Sequence, residues 1–564
     1  MTHTESDAQT DIHAGAERRE GGHANDDATT TVRSGSRLWV VFVVAAVLFA
    51  AMGSLWAIAT PLFAVPDEPD HAVRAVATWS GDPTGTEVVV DGVPLVRYRV
   101  PTPYQVADQI AACNAFQPDL APCGPAFVAT GRKVTELSTA GLYPPLFYRL
   151  TGWAGALWPG GRGMYMMRLI QVAACAVLIG VAAIGCVRLR RGTLPLLGVA
   201  FAVTPMVLFL SGSVNSSGLE AAAAIALWAS LLSLLRNDDR LGADAADLGA
   251  SGRSTRWLPE RWPDAIAALG SGTVLIATRT FSPGFAAVIC AIALLSAPEI
   301  TPRVLLRRRD LLATFCGLAI AAVAAALLVV RSGQFDHPAI GGRPLLGIET
   351  PLSIGLGYQE LGFRQMIAVF GWLDTGTAQL SYYAWILGGG ALMIGALVLG
   401  RWRRIAGVAL ALLATVALPI ASNWGQAETS GFVWQGRYGL PIAAGIPILA
   451  ALAVAESGLP SRISKRATVT FTAIVAIGQI YALYWSLRRF SVGVRGDLIF
   501  FGDSAWSPPF LGGWGTAILA VAVTVAFVVA LTTAAIPDDD HIRGRRVAHP
   551  HRQDDQNRPE VAPQ

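Results

Sequence analysis

Charged side chains are scarce in this sequence of 564 residues. Asp, Glu, Lys and Arg make up 15% of the chain and hydrophobic residues 53%, whereas a soluble protein carries about a quarter charged residues. This deficit argues against a soluble protein, and long uncharged runs recur along the chain. The formal net charge of +4 is too small to indicate a nucleic-acid partner. We therefore predict an all-α polytopic membrane protein.

The apolar runs predict about twelve transmembrane helices, although several are shorter than the roughly 20 residues that a perpendicular span needs. The two runs within 263–298 share one stretch interrupted at 279–284, which we interpret as a turn. The runs lie at 38–59, 164–187, 194–211, 217–235, 263–279, 283–298, 311–331, 381–399, 404–421, 439–456, 467–487 and 512–535. A single membrane domain over 37–536 follows.

Both ends of the chain are polar and lack apolar periodicity, so 1–36 and 537–564 are predicted to be disordered cytoplasmic tails. No cleavable signal peptide is expected, because the first apolar run begins near Leu38. Basic residues concentrate in the loops after every even-numbered run, as in the triplet 307–309. The positive-inside rule places those loops and both termini in the cytoplasm. We therefore predict a multi-pass protein of the cytoplasmic membrane.

The opposite side then receives a large first loop over 60–163. Two strands, 87–90 and 94–100, are predicted there around an Asp-Gly turn. Cys113 and Cys123 lie in the same loop, on the oxidising side, where they are predicted to form a disulfide. Two free thiols are the alternative. The other four of the six cysteines lie in or beside apolar runs, as small packing residues do.

The strongest candidate for a site is a charge cluster directly after the first apolar run. It consists of Pro66-Asp67-Glu68-Pro69-Asp70-His71, followed by Arg74. Charges at this position require solvation or partners, so the cluster indicates either a site or a solvated loop. The two prolines restrict how the carboxylates are presented. Asp67 and Glu68 are therefore candidate catalytic residues. Asp70 and His71 are candidate supporting residues or ligands of a divalent cation, although their spacing is not diagnostic of a metal site.

Arginines on the outer side are a second signal, because topology does not require them there. Guanidinium groups at helix ends bind phosphate bidentately, while single arginines also anchor helices by snorkelling. The basic residues in question are Arg74, Arg97, Arg99, Arg132, Lys133, Arg149, Arg168, Arg279, Arg364, Arg437, Arg488, Arg489 and Arg495. As a set they favour a phosphate-bearing ligand.

Aromatic and polar residues at outer helix boundaries extend the candidate site. Tyr143 begins a Pro-Pro segment, Trp372 and Asp374 lie in a Gly-Trp-Leu-Asp turn, and Tyr438 follows Arg437 before a span. Such aromatic rings either stack on a sugar or anchor helices in the membrane interface.

Three of these segments, 66–71, 371–374 and 435–441, together resemble a bacterial polytopic family known as domain of unknown function 2142. The segment 213–218 also resembles that family, which more often has Pro-Asp where Ser216 and Ser217 stand. This departure removes a carboxylate, so no catalytic role is assigned to the turn. The resemblance extends over roughly 38–530.

The family is itself similar to the GT-C membrane glycosyltransferases, which have many helices, a large first outer loop and an acidic motif after the first helix. The resemblance implies inverting transfer of a sugar from a polyprenyl-phosphate donor to a cell-envelope glycan or lipid outside the membrane. Asp67 is then the expected general base, with Arg437 and either Arg279 or Arg74 on the donor phosphate. A transporter or flippase of a lipid-linked glycan and a non-catalytic envelope-assembly scaffold are the alternatives. Transport predicts pseudo-symmetric halves, and no internal repeat is evident.

Overall fold

The computed structural model describes residues 36–90, 93–189, 191–236, 261–297, 300–331, 349–426, 434–502 and 504–534. The predicted tails at 1–36 and 537–564, apart from Ser36, and the predicted Asp-Gly turn at 91–92 lie outside these ranges. The helices are α1 Ser36–Ala59, α2 Glu68–Trp79, α3 Ala107–Asn114, α4 Leu146–Leu157, α5 Gly161–Arg188, α6 Leu194–Ala202, α7 Pro205–Ser211, α8 Ser216–Leu234, α9 Trp262–Ile276, α10 Ser282–Ser296, α11 Pro302–Arg307, α12 Arg309–Arg331, α13 Glu349–Gly357, α14 Gln359–Ala368, α15 Gln379–Leu399, α16 Trp402–Gln426, α17 Leu440–Ala443, α18 Gly445–Glu456, α19 Ser461–Val492 and α20 Gly512–Ala534.

Nine helices within the described ranges are long and apolar enough to cross a membrane, and a bent pair brings the number to ten. They are α1, α5, α8, α12, α15, α16, Gly436–Glu456 (which contains α17 and α18), α19 and α20, with α6 and α7 as the bent pair. The chain is thus an all-α membrane protein, as predicted, but the number twelve is not confirmed.

The number of candidate spans is smaller than the predicted twelve for two local reasons. Pro205 disfavours helical backbone in the residue before it, so Thr204 is extended and α6 and α7 meet at 62°. The stretch 263–298 forms α9 and α10, each of 15 residues. A helix of that length rises only about 22 Å, less than the roughly 30 Å of bilayer hydrocarbon.

Helix α8 is the central element of the bundle. Every residue of α8 is buried, and α5 and α9 pack along it. The Asn215 side chain caps the start of α8 by accepting a hydrogen bond from the Ser217 N–H at 2.9 Å. That end of α8 lies on the side from which the first loop emerges, which we call the loop face: the end of the bundle that carries residues 60–160. The start of α8 therefore forms the floor of the loop face.

A small antiparallel sheet covers part of the loop face, in strand order β1-β2-β3. Its strands are β1 Thr86–Val90, β2 Val93–Pro101 and β3 Lys133–Ser138. The first two confirm the predicted strand pair. Along β2, Val96, Tyr98 and Val100 are buried while Arg97 and Arg99 are exposed, which is the alternation expected of a sheet with one covered face. A further two-residue pair, β4 Val369–Phe370 and β5 Thr375–Gly376, flanks the Gly-Trp-Leu-Asp turn.

The predicted disulfide is present: Cys113 and Cys123 are bonded, with their Cα atoms 5.7 Å apart. The loop between them is held by the buried Arg489 at the end of α19. Its guanidinium donates to three carbonyls of this loop, those of Asn114 (3.0 Å), Gln117 (3.0 Å) and Leu120 (2.8 Å). Arg489 is therefore a structural residue that ties the first loop to the last helices.

Replacing Cys113 with serine is expected to lower the free energy of unfolding by about 2–4 kcal/mol. The bond limits the freedom of a loop whose carbonyls bind Arg489, so the loop is also expected to become protease-sensitive. Cys316→Ser is the control, because Cys316 is a free, exposed cysteine. Thermal unfolding and limited proteolysis of the purified protein measure both effects. Equal behaviour of the two variants would contradict a structural role for the disulfide.

Candidate active site

The candidate site begins at Asp67, which immediately precedes α2. Its backbone is left-handed, with φ 62° and ψ 4°, a conformation that costs a residue other than glycine about 1–2 kcal/mol. The Asp67 carbonyl accepts a hydrogen bond from the His71 N–H at 3.0 Å, while the Asp67 carboxylate makes no cap bond to α2. The turn therefore directs this carboxylate away from its own helix.

The Asp67 carboxylate meets Arg437, which lies 370 residues later in the chain. Arg437 Nη2 donates to Asp67 Oδ2, Nη1 lies 3.5 Å from the Pro66 carbonyl, and Nε donates to Gln435 Oε1 at 2.6 Å. The Arg437 side chain is completely buried, whereas 39% of the Asp67 side chain is exposed. Burial, the largest single effect, would raise the pKa of Asp67, but the charge and hydrogen bond of Arg437, together with the nearby His71 and Arg279, hold the pKa below its ordinary value of 3.8. Asp67 is thus an ionised, accessible carboxylate covering a buried cation.

A second arginine, Arg279, lies beside this pair and is largely buried, with 13% of its side chain exposed. It donates to Ser217 Oγ at 2.8 Å, and its Cζ is 4.6 Å from the centre of the Tyr438 ring. Arg437 Cζ is 5.1 Å from the same ring centre. The centre of the Tyr143 ring lies 5.4 Å from Arg279 Cζ. Both guanidinium groups therefore lie next to one phenol ring, an arrangement that concentrates positive charge near Asp67.

Glu220 supplies a counter-charge that the sequence reasoning missed. Its Oε2 is 3.8 Å from Arg279 Nη1, and its Oε1 accepts a hydrogen bond from Ser282 Oγ at 2.5 Å. The signal was available, because a lone glutamate within an apolar span needs a partner. Glu220 lies in the first two turns of α8, so its charge belongs to the loop-face end of the bundle.

Glu68, although adjacent to Asp67, occupies a different environment. Its carboxylate and Arg168 are both completely buried and are joined by two hydrogen bonds, of 2.6 and 2.8 Å. Glu68 also accepts from the N–H groups of Phe63 and Val214, each at 2.9 Å. The two Glu68 oxygens thus accept hydrogen bonds from protein donors and are closed to solvent. This environment does not fit the catalytic role expected from the sequence. Glu68 instead fixes the loop that presents Asp67.

Glu68→Gln is expected to lower the free energy of unfolding by about 3–5 kcal/mol, because it leaves the Arg168 charge buried without a partner. The matched control is Glu360→Gln, which removes an exposed partner of Arg364 and should change stability by less than about 0.5 kcal/mol. Thermal unfolding followed by tryptophan fluorescence compares them. A Glu68→Gln protein of unchanged stability would contradict the structural assignment.

Asp70 and His71 are committed to protein partners. Asp70 Oδ1 accepts the Thr139 N–H at 2.5 Å, and burial raises the pKa of Asp70 to about 6. His71 Nδ1 is 2.8 Å from the Tyr148 hydroxyl, and burial lowers the pKa of His71 to about 3, so its ring is neutral. Among the residues that the structure describes, no group of three or more His, Cys, Asp or Glu is arranged to hold a metal ion. The predicted cation ligands therefore do not fit a metal site.

The remaining predicted residues support the walls of the site. Arg74 donates to the Ala140 carbonyl, and its Cζ lies 4.0 Å from the Tyr148 ring centre. Trp372 Nε1 donates to the Phe63 carbonyl at 3.1 Å. These contacts place Arg74 against Tyr148, which is also the partner of His71, and Trp372 against the loop before Asp67.

Asp374 binds the disulfide loop, because its Oδ2 accepts the Phe116 N–H at 2.8 Å. The side chain of Asn215 donates to the Pro66 carbonyl at 2.8 Å, so the turn before α8 also holds the Asp67 backbone. The structure therefore brings together Asp67, Arg279, Arg437, Tyr143 and Tyr438, and the other predicted residues surround them.

The fold and the site together define a multi-spanning membrane protein with a buried charge network at one end of its helix bundle. The chain belongs to the family described as predicted membrane protein (DUF2142), whose model matches residues 48–446. The family predicted from the motifs is thus confirmed. No curated protein matches the sequence.

Two crystal structures of ArnT from Cupriavidus metallidurans resemble the fold. The one bound to undecaprenyl phosphate is 16% identical, with a TM-score of 0.37, and the match covers 88% of this chain and 77% of that chain. The one in the apo state is 15% identical, with a TM-score of 0.40, and the match covers 89% and 78%.

Proposed function

We propose that the protein is a membrane glycosyltransferase that moves a sugar from a polyprenyl-phosphate donor to a hydroxyl group of a cell-envelope glycan or lipid. The observation that carries the proposal is the contact of an accessible carboxylate, Asp67, with the buried Arg437, next to a second, largely buried arginine, Arg279. A carboxylate accepts a proton and guanidinium groups hold a phosphate, so the two halves of a transfer reaction meet here.

The chemical step uses Asp67 as general base. The acceptor hydroxyl gives its proton to the Asp67 carboxylate while its oxygen forms a bond to the anomeric carbon of the sugar. The bond from that carbon to the phosphate oxygen breaks, and the polyprenyl phosphate leaves with the electron pair. Attack opposite the leaving group inverts the anomeric centre. Arg437 and Arg279 stabilise the negative charge that develops on the departing phosphate.

Tyr143 and Tyr438 are assigned to the sugar ring. Both aromatic rings lie beside Arg279, at 5.4 and 4.6 Å from its Cζ, so a phosphate held by this arginine brings its sugar against them. The apolar spans provide an environment for the prenyl chain. Burial raises the pKa of Tyr143, which keeps the phenol protonated and able to donate a hydrogen bond.

The reaction is assigned to the extracytoplasmic side. Helix α5 runs from Gly161 at the loop face to Arg188 at the far end, where Arg188 pairs with Asp264. The basic loops that the positive-inside rule places in the cytoplasm follow that far end. The loop face, with Asp67, therefore faces the cell envelope, and both termini lie in the cytoplasm.

Transfer of label from polyprenyl-phosphate sugars to envelope extracts by the purified protein tests the proposal. Loss of one glycan component from the envelope of cells lacking the protein is expected to identify the sugar. Movement of the donor between leaflets without its consumption would support a flippase and overturn the proposal.

A further inference from the structure

We infer that the Asp67 carboxylate occupies the place on Arg437 that the donor phosphate takes, so that donor binding must precede activation of the acceptor. This inference rests on the proposed function. It follows from the groups that enclose the Arg437 guanidinium, because they leave a ligand only one direction from which to approach it.

The enclosure of Arg437 is complete on the protein side. The Nε edge faces Gln435 and Nη1 faces the Pro66 carbonyl, while Nη2 meets Asp67 and lies 3.4 Å from the Tyr438 hydroxyl. The Arg437 side chain has no exposed surface, but 39% of the Asp67 side chain is exposed. The Asp67 carboxylate is therefore the solvent-facing cover of the cation, and an anion reaches Arg437 by replacing it.

The backbone around Asp67 permits such a replacement without unfolding the turn. Pro66 is held through its carbonyl by Asn215, at 2.8 Å, and Glu68 is fixed by Arg168. The Asp67 carboxylate has Arg437 as its only hydrogen-bond partner in the described part of the chain. A rotation of this one side chain therefore exposes the guanidinium while its neighbours stay in place.

Arg279 is expected to contact the phosphate before Arg437 does, because its own counter-charge is held less closely. Its nearest carboxylate oxygen, on Glu220, lies 3.8 Å from Nη1, which is too long for a hydrogen bond. The Asp67–Arg437 pair is a direct hydrogen-bonded contact. A phosphate attracted to Arg279 then displaces the Asp67 carboxylate from Arg437, whose guanidinium lies next to the same Tyr438 ring.

The exchange changes the basicity of Asp67. While Arg437 faces Asp67, the carboxylate is a weak base, because the cation favours its ionised form. Once the phosphate neutralises Arg437, burial acts on Asp67 without that compensation and raises its proton affinity. The base is thus activated by the arrival of the donor, and the acceptor is deprotonated only when the leaving group is in place.

The test is the affinity for farnesyl phosphate, a short polyprenyl phosphate, measured by calorimetry on the detergent-solubilised protein. Asp67→Asn removes the competing charge and is expected to bind about fivefold tighter, the factor that corresponds to releasing a part-exposed ion pair. Asp108→Asn is the matched control, because it removes an exposed carboxylate of α3 that does not contact Arg437; its affinity should equal that of the wild type.

The outcomes separate the inference from the function on which it rests. Wild-type binding together with equal or weaker binding by Asp67→Asn would overturn the exchange and leave the glycosyltransferase proposal standing. Absence of binding to wild type and to folded Asp67→Asn alike would overturn the donor assignment itself. Asp67→Ala, with a thermal-shift measurement of folding, provides a second variant should the asparagine protein prove unstable.

Discussion

Asp67→Asn is expected to abolish most sugar transfer, with kcat reduced by about 10²–10⁴-fold. The amide keeps the size of the side chain but cannot accept the acceptor proton at neutral pH. The measurement is the rate of label transfer from a polyprenyl-phosphate sugar under saturating donor. Because the same variant is expected to bind the phosphate more tightly, kcat and donor affinity should move in opposite directions.

Asp108→Asn serves as the control for this result, since it changes the net charge of the loop face by the same amount. Its transfer rate should stay close to that of the wild type. Full activity of Asp67→Asn would remove Asp67 as the base, whatever its affinity for phosphate.

Arg437→Gln is expected to lower kcat by about 10²–10³-fold, because a preorganised cation no longer stabilises the leaving phosphate. Arg437→Lys should recover only part of this loss. Lysine restores the charge but not the planar fork that reaches Gln435, Pro66 and Asp67. Steady-state kinetics with donor and acceptor varied separately provide the comparison.

The pH profile adds a signature to the Arg437→Gln variant. In the donor-free wild type, Arg437 contributes to a pKa of Asp67 below 3.8, so kcat/KM for the donor should not be lost through Asp67 between pH 7 and about 5. Without Arg437 burial dominates, the pKa rises, and the residual kcat/KM should fall at a higher pH than in the wild type. Arg364→Gln, which alters an exposed ion pair, is the control and should leave rate and profile unchanged.

Residue chemistry indicated which part of the chain forms the candidate site, but not that its two carboxylates have different partners. Asp67 and Glu68 are equivalent in the sequence, since both lie between Pro66 and Pro69. The left-handed backbone at Asp67 sends one carboxylate towards Arg437, while α2 directs the other towards Arg168. That distinction depends on partners about 100 and 370 residues away, which no local pattern contains.

The helix count shows a similar limit. Hydrophobicity identified every span that the structure describes, because burial in lipid requires a long apolar run. It did not reveal the 62° bend between α6 and α7 or the shortness of α9 and α10. Glu220 was overlooked for a related reason: one charge hardly alters the hydropathy of a 19-residue helix, yet it supplies the counter-charge of Arg279.

The most direct test of the central claim is the transfer of labelled sugar from a polyprenyl-phosphate donor by purified wild-type and Asp67→Asn protein, both shown to be folded. The account predicts transfer by the wild type, with inversion at the anomeric carbon, and a loss of at least about 100-fold in the variant. Equal transfer by the two proteins would contradict it.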